Sequence, residues 1–215
     1  MKQVVNVIVA LMLAWGTAAT AAVIYSNGPT ATNSFVSDPD FPTFVSDDFT
    51  LAAGANVITG VQWKGLYAFT NTPQPVDIFT IQIFADIGGA PAVNPLHSLP
   101  VGNPGRTDTG INLGNFDLFA YSVDVAPIAL APGTPFWLSI FNDTTGDAND
   151  NWFWGMQDAV GNSFERPDQN VAWIARANRQ DFQLSGPLAV SEPSVLALLA
   201  IGVIGLLGFR RKQVK

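Results

Sequence analysis

Val76-Asp77-Ile78-Phe79-Thr80-Ile81-Gln82-Ile83-Phe84-Ala85-Asp86 is the stretch whose reading decides the fold. Phe79, Ile81, Ile83 and Ala85 take alternate positions, and Ile78, Thr80, Gln82 and Phe84 take the others. Successive strand side chains point to opposite faces, so a period of two predicts a strand here. The pattern spreads outward. Val57 to Phe69 alternates, with Val57, Thr59, Val61 and Trp63 on one side and Ile58, Gly60, Gln62 and Lys64 on the other. Asp117 to Ala126 sets Phe119, Tyr121, Val123 and Val125 on one face, and Phe44 to Leu51 and Pro135 to Asn142 read as further strands. Shorter candidates lie at Ser34 to Val36, Leu96 to Val101, Asp108 to Leu113, from Trp152 onward, Val171 to Ala175 and Asp181 to Leu184.

Between them stand turn formers such as Asp38-Pro39-Asp40, Ala53-Gly54-Ala55-Asn56 and Leu130-Ala131-Pro132-Gly133. No helix of normal length has apolar residues at helical spacing, and no repeat of fixed period is visible. About nine or ten short strands with such turns predict an all-β fold, an antiparallel β-sandwich of jelly-roll or lectin-like type, over residues 22–188.

Both ends differ from this body. Met1-Lys2 is followed by an apolar run from Val4 to Trp15, broken only by Asn6, and then by small residues to Ala21. These are the parts of a signal peptide over residues 1–21, with Ala19-Thr20-Ala21 as the small-x-small site before cleavage. At the other end, residues 189–215 hold Ser191-Glu192-Pro193-Ser194, an uncharged run from Val195 to Phe209, and then Arg210, Arg211 and Lys212. As a helix, residues 195–209 rise about 22 Å, short of a hydrocarbon core of about 30 Å. Snorkelling of Arg210 and Arg211 and local thinning make up part of the gap, so a transmembrane helix with a cytoplasmic basic tail is expected. Gly202, Gly205 and Gly208, three residues apart, line one side of that helix.

Glu192-Pro193-Ser194, the Leu-, Ala- and Gly-rich run and Arg210-Arg211-Lys212 together resemble the PEP-CTERM sorting signal of Gram-negative bacteria. Its bearers are substrates of exosortase. The usual signature is Val-Pro-Glu-Pro-Ser, and Ser191 stands here where the first Pro is expected. The resemblance implies a transient inner-membrane anchor, cleavage near Glu192-Pro193 by exosortase, and delivery to the cell surface or extracellular space. Phrases of the body, among them Gly60-Val61-Gln62-Trp63, Phe79-Thr80-Ile81-Gln82 and Pro135-Phe136-Trp137-Leu138, also resemble other PEP-CTERM proteins, a group with no activity attached.

From Ala22 to Val190 the chain has five basic and sixteen acidic residues, a net of −11. That balance repels nucleic acid and anionic membrane, so no nucleic-acid partner is expected. There is no cysteine, which removes disulfides, thiol nucleophiles and thiolate zinc sites, and leaves stability to the apolar core. The single histidine, His97, lies in a Pro-rich loop without a Gly-x-Ser-x-Gly elbow, which leaves no serine-hydrolase triad. Two carboxylates among Asp47, Asp48, Asp86 and Glu165 are what a secreted glycan hydrolase would use. No cofactor is expected apart from calcium, for which Asp143, Asp147 and Asp150 offer hard oxygens in the Asn142 to Asn151 loop; the spacing is not that of an EF-hand. Trp152 and Trp154 share a strand face beside that loop and read either as core or as a glycan-stacking platform. The expected function is a non-enzymatic structural or adhesive surface protein of the extracellular matrix that binds exopolysaccharide. The alternatives are the hydrolase and a passive coat protein without a ligand.

Overall fold

The computed structural model describes residues 21–28, 31–69, 73–147, 149–157 and 161–188. The expected transmembrane helix and sorting residues at 189–215, and the signal peptide except for Ala21, lie outside the described residues. Within them, every regular element is a strand. In chain order these are β1 (Ala22–Ser26), β2 (Asn33–Val36), β3 (Phe44–Thr50), β4 (Val57–Ala68), β5 (Phe79–Ala85), β6 (His97–Gly102) and β7 (Thr107–Leu113). They continue with β8 (Phe116–Ala129), β9 (Pro135–Asn142), β10 (Asn151–Gln157), β11 (Ser163–Arg166), β12 (Ile174–Arg176), β13 (Arg179–Gln180) and β14 (Phe182–Gly186).

All the pairings are antiparallel and form two sheets. The six-stranded sheet runs β12-β11-β3-β9-β5-β6. In the eight-stranded sheet β1-β14-β4-β10-β13 form one path, β2 lies against β10, and β8 carries β7 along the other side of β4. The decisive stretch behaves as its alternation requires. Phe79, Ile81 and Ile83 enter the core, joined from the same sheet by Val45, Phe49, Phe136, Leu138 and Ile140. The facing sheet contributes Val61, Trp63, Tyr67, Tyr121, Trp152, Trp154, Phe182 and Leu184. Aromatic edges interlock there: Phe79 meets Trp63 at 5.1 Å, Trp152 at 5.0 Å and Tyr121 at 4.8 Å, all T-shaped.

Two local geometries depart from simple alternation. Ile58 and Val61 fall on opposite sides by sequence, yet both are core residues. The ladder slips between them: Ile58 pairs with Ile128 but Gly60 pairs with Asp124, and this bulge turns the strand over. Strands β1, β11 and the two-residue β13 were not visible in the sequence. The first follows the small residues of the signal peptide, and Ser163-Phe164-Glu165-Arg166 has one apolar residue, too few to show a period.

Glycine sets the closest approaches. A Cβ on Gly65 would lie 2.4 Å from the Trp152 ring, and one on Gly186 would lie 1.9 Å from the Val57 carbonyl oxygen. Each glycine lets a neighbour press onto bare backbone.

The six-stranded sheet also curls. Arg166 on β11 donates from Nη1 to the Val93 carbonyl at 2.8 Å, and Trp173 donates to the Ala92 carbonyl at 3.0 Å, so chain from one side of the sheet meets the loop before β6 on the other. Phe84, on the face turned away from the main core, packs on Trp173 at 5.3 Å, and Trp137 packs on Phe164 at 5.0 Å. The Arg166 guanidinium lies 4.1 Å from the centre of the Trp173 ring. It is wholly enclosed, and burial pushes it down to about 10. This second, smaller core explains why Phe84 is buried although its face of the strand is not the one turned to the main core.

Candidate functional site at one end of the sandwich

Three connections emerge together where β4 ends and β5 begins. Asn151 at the start of β10 pairs with Ala68, and Phe79 at the start of β5 pairs with Asn142 at the end of β9. The β2–β3, β4–β5 and β9–β10 loops therefore share one end of the sandwich. Loops carry binding residues when a rigid scaffold positions them, and here buried acids do the positioning.

Asp38 is fully buried and brackets the β9–β10 loop. Its Oδ2 accepts from Thr144 Oγ1 at 2.7 Å and from the Trp152 amide at 2.8 Å. Its Oδ1 accepts from the amides of Asp40 at 2.9 Å and Thr144 at 3.3 Å. Burial pushes this carboxyl up, and the donated hydrogen bonds oppose the rise. Asp150 holds the β4–β5 loop, with Oδ2 accepting from the Gln74 amide at 2.9 Å. Its Oδ1 is buried without a partner. Burial raises the Asp150 carboxyl, and the nearby Asp147 charge adds to the rise.

Beneath lies a second bracket around Asp77. Its carboxylate accepts from the Tyr67 hydroxyl, from Asn142 Nδ2 at 3.3 Å, and from Arg106 Nη2 at 3.1 Å and Nε at 3.3 Å. Arg106 also donates to the Gln74 carbonyl at 2.5 Å and lies 4.9 Å from the Tyr67 ring centre. Asn142 closes the set by accepting from the Ile78 amide at 2.7 Å.

On this braced base stand exposed apolar groups. Phe69 is 70% exposed and packs edge-on against Phe153 at 5.7 Å. Its φ is 77°, a conformation that costs an aromatic residue roughly 1–3 kcal/mol. Phe41 is 50% exposed. Asn151, the partner of Ala68, donates to Asp40 Oδ2 at 3.3 Å, which brings the residues preceding Phe69 and Phe41 together. Val76 and Ile78, just before β5, are also exposed. In the β9–β10 loop, Asp143 accepts from Thr145 at 2.6 Å and Asp147 accepts from Asn149 at 2.5 Å. Among the described residues, Asp40, Asp143 and Asp147 take no part in the ion pairs Lys64–Asp181, Arg106–Asp77 and Arg176–Glu165.

The residues singled out from sequence do not converge on one site. Trp152 and Trp154 do share a face, but it is the core face, and both are 0% exposed. Stacking on a sugar needs an open ring, so the platform reading is corrected: these rings wall the core, with Trp154 Nε1 donating to the Asp181 carbonyl at 3.0 Å. Asp143, Asp147 and Asp150 lie in one loop, yet among the described residues no three acidic or histidine side chains gather into a metal group. Of the hydrolase candidates, Asp47 faces the other sheet; Asp48, next along β3 and pointing to the opposite side, lies close enough to Asp86 to feel its charge, and Asp86 accepts from Trp137 Nε1 at 2.8 Å; Glu165 pairs with Arg176. His97 begins β6 opposite Ile83. Phe41 and Phe69 were missed. The available signal was an aromatic residue set among turn formers, in Asp38-Pro39-Asp40-Phe41-Pro42 and in Phe69-Thr70-Asn71-Thr72-Pro73.

A depression of about 260 Å³ lies elsewhere, over β4, β8 and β14, and is lined by Gln62, Lys64, Ala120, Asp181 and Gln183 with Trp63 and Tyr121. The Lys64–Asp181 ion pair at 2.8 Å crosses it, and Trp63 and Tyr121 are each 2% exposed, so it offers no open ring.

Comparison with known proteins identifies a motif at the C-terminal end. The PEP-CTERM protein-sorting motif matches residues 189–212. No curated protein matches the chain. Among solved structures, the cysteine protease and lectin-like domains of Cwp84, a surface layer associated protein of Clostridium difficile, align with a TM-score of 0.45 at 10% identity. That alignment covers 68% of this chain and 32% of the other, so the chain spans about a third of that protein's length.

Proposed function

From a chain that carries the PEP-CTERM sorting motif, we propose an exported protein, processed by exosortase and delivered to the cell surface or extracellular matrix, where its domain acts as a structural and adhesive module on exopolysaccharide. The motif at residues 189–212 is the observation that carries this reading, because it directs the domain to the envelope. The direction of the strands supports it. The chain leaves β14 at Gly186, against Val57, while the loop end lies beyond Ala68. The twelve residues of β4 separate these ends by about 40 Å at roughly 3.3 Å per residue. The loops therefore lie at the end of the domain opposite to the one where the chain leaves β14. The role proposed is non-enzymatic.

The test is the intact mass of the protein recovered from the producing cell surface, together with its retention on native exopolysaccharide. A mass spanning Ala22 to about Glu192, with or without glycan, is expected. A mass that keeps Val195 to Lys215 would mean a permanent anchor and refute processing. Turnover of labelled exopolysaccharide, abolished by replacing one Asp or Glu, would replace the adhesive reading with a hydrolase.

A further inference from the structure

We propose that the loop end is a binding site for a polysaccharide that carries free amino groups, with Phe69 and Phe41 taking the sugar rings and Asp147 the ammonium charge. This rests on the adhesive reading above and names its ligand class and residues.

Exposed aromatic rings anchor ligands at low entropic cost, because two torsions fix a large surface. Phe69 is the clearest anchor in the molecule. It is held out into solvent on a backbone conformation that glycine adopts more readily, and it is supported from the side by Phe153. A residue selected for stability alone would not be a 70% exposed phenylalanine at that φ. Asp38, Asp150 and the Asp77–Arg106 pair fix the loops beneath it before any ligand arrives, which lowers the ordering cost of binding.

Charge selects the class. Asp40, Asp143 and Asp147 lie in the loops of the same end, outside the ion pairs described, and Arg106 is already committed to Asp77. Below them, the buried Asp150 Oδ1 has no donor, although the carboxyl lies close enough to Asp147 to feel its charge. An end so rich in acceptors, on a domain of net −11, repels uronate polymers and favours ammonium donors.

The experiment is calorimetric titration of the full-length chain in detergent micelles with a chitosan oligosaccharide and, separately, with polygalacturonate at low salt. Chitosan is expected to bind with an affinity that falls as salt is raised, and polygalacturonate is not. Phe69→Gly should weaken chitosan binding by about tenfold or more, the scale of losing one aromatic anchor. The same change should leave the melting temperature unchanged or higher, because glycine suits the backbone there. Phe69→Trp should retain binding, and Asp147→Asn should weaken it and flatten its salt dependence. Undiminished binding by Phe69→Gly, equal binding of polygalacturonate, or no chitosan binding would each overturn the site. If native exopolysaccharide is retained but Phe69→Gly is without effect, the site fails and the adhesive reading stands. If the processed protein retains no polymer, both fail.

Discussion

Replacing Asp47 by Asn should stabilise the protein at alkaline pH and leave it unchanged in acid. Asp47 is fully buried on β3 and reaches between the sheets, where the backbone amide of Gln180 donates to its Oδ2. Its Oδ1 has no partner. Burial pushes its carboxyl from an ordinary 3.8 up to about 8, and the Asp48 charge adds to the rise. The Gln180 amide, the Asn27 side chain and Arg179 act the other way but do not cancel it. The folded state therefore keeps a proton that the unfolded chain releases above pH 4 or so. Stability falls as pH rises from the unfolded value toward 8 and is level beyond it. Each tenfold gain in proton affinity on folding is worth about 1.4 kcal/mol, so the full loss is on the order of 5 kcal/mol. For a domain of this size that is roughly 10–20 °C in melting temperature. Asn keeps the acceptor for Gln180 and offers an N–H in place of the acid proton, without the titration. Melting curves of both proteins from pH 3 to pH 9 should therefore coincide below about pH 4 and diverge as pH rises toward 8, with Asp47→Asn the higher. Asp38 and Asp150 are also raised, but they are common to both proteins and drop out of the difference. Parallel curves across that range would refute the reasoning.

Other perturbations test other parts of the frame. Arg106→Met leaves the buried Asp77 without its cation and should cost about 3 kcal/mol, read as a lower urea midpoint at neutral pH. Gly65→Ala drives a methyl into the Trp152 ring and should cost about 1–3 kcal/mol, with a change in tryptophan fluorescence of the folded state. Asp38→Ala removes the acceptor for Thr144 and the Trp152 amide, so limited proteolysis should gain a cut between Asp143 and Asn151 that the parent protein resists.

The strands were legible where apolar residues recur at alternate positions, as Phe79, Ile81 and Ile83 do in β5, and Pro135–Asn142 falls at the residues the pattern marks although β9 is buried on both faces. Legibility failed where tertiary geometry overrode the period. The slip opposite Ile58 is decided by its partner strand, and no local pattern encodes it. The burial of Arg166 depends on a curl that carries β11 toward Val93, seventy-three residues earlier in the chain. The functional reading failed in a related way. Trp152 and Trp154 were conspicuous as residues, but their shared face could have turned either way, and only the packing of Phe79 and Phe182 against them decides that it turns inward. The Asp143 to Asp150 loop was equally conspicuous, yet Asp150 points down to brace Gln74. Phe41 and Phe69 were hidden because a lone aromatic residue in a turn gives no periodic signal.

The pairing of the first and last strands has a mechanical consequence. β14 lies between β1 and β4, with Ala22 opposite Gly186 and Phe182 opposite Trp63. A pull entering at the loop end and leaving through the chain beyond Gly186 runs along the strand axes. To extract β14, such a force must shear its ladders to both neighbours at once, instead of peeling hydrogen bonds one after another. Loaded in that direction, the domain resists as a rivet does, and a pull at right angles would find it much weaker.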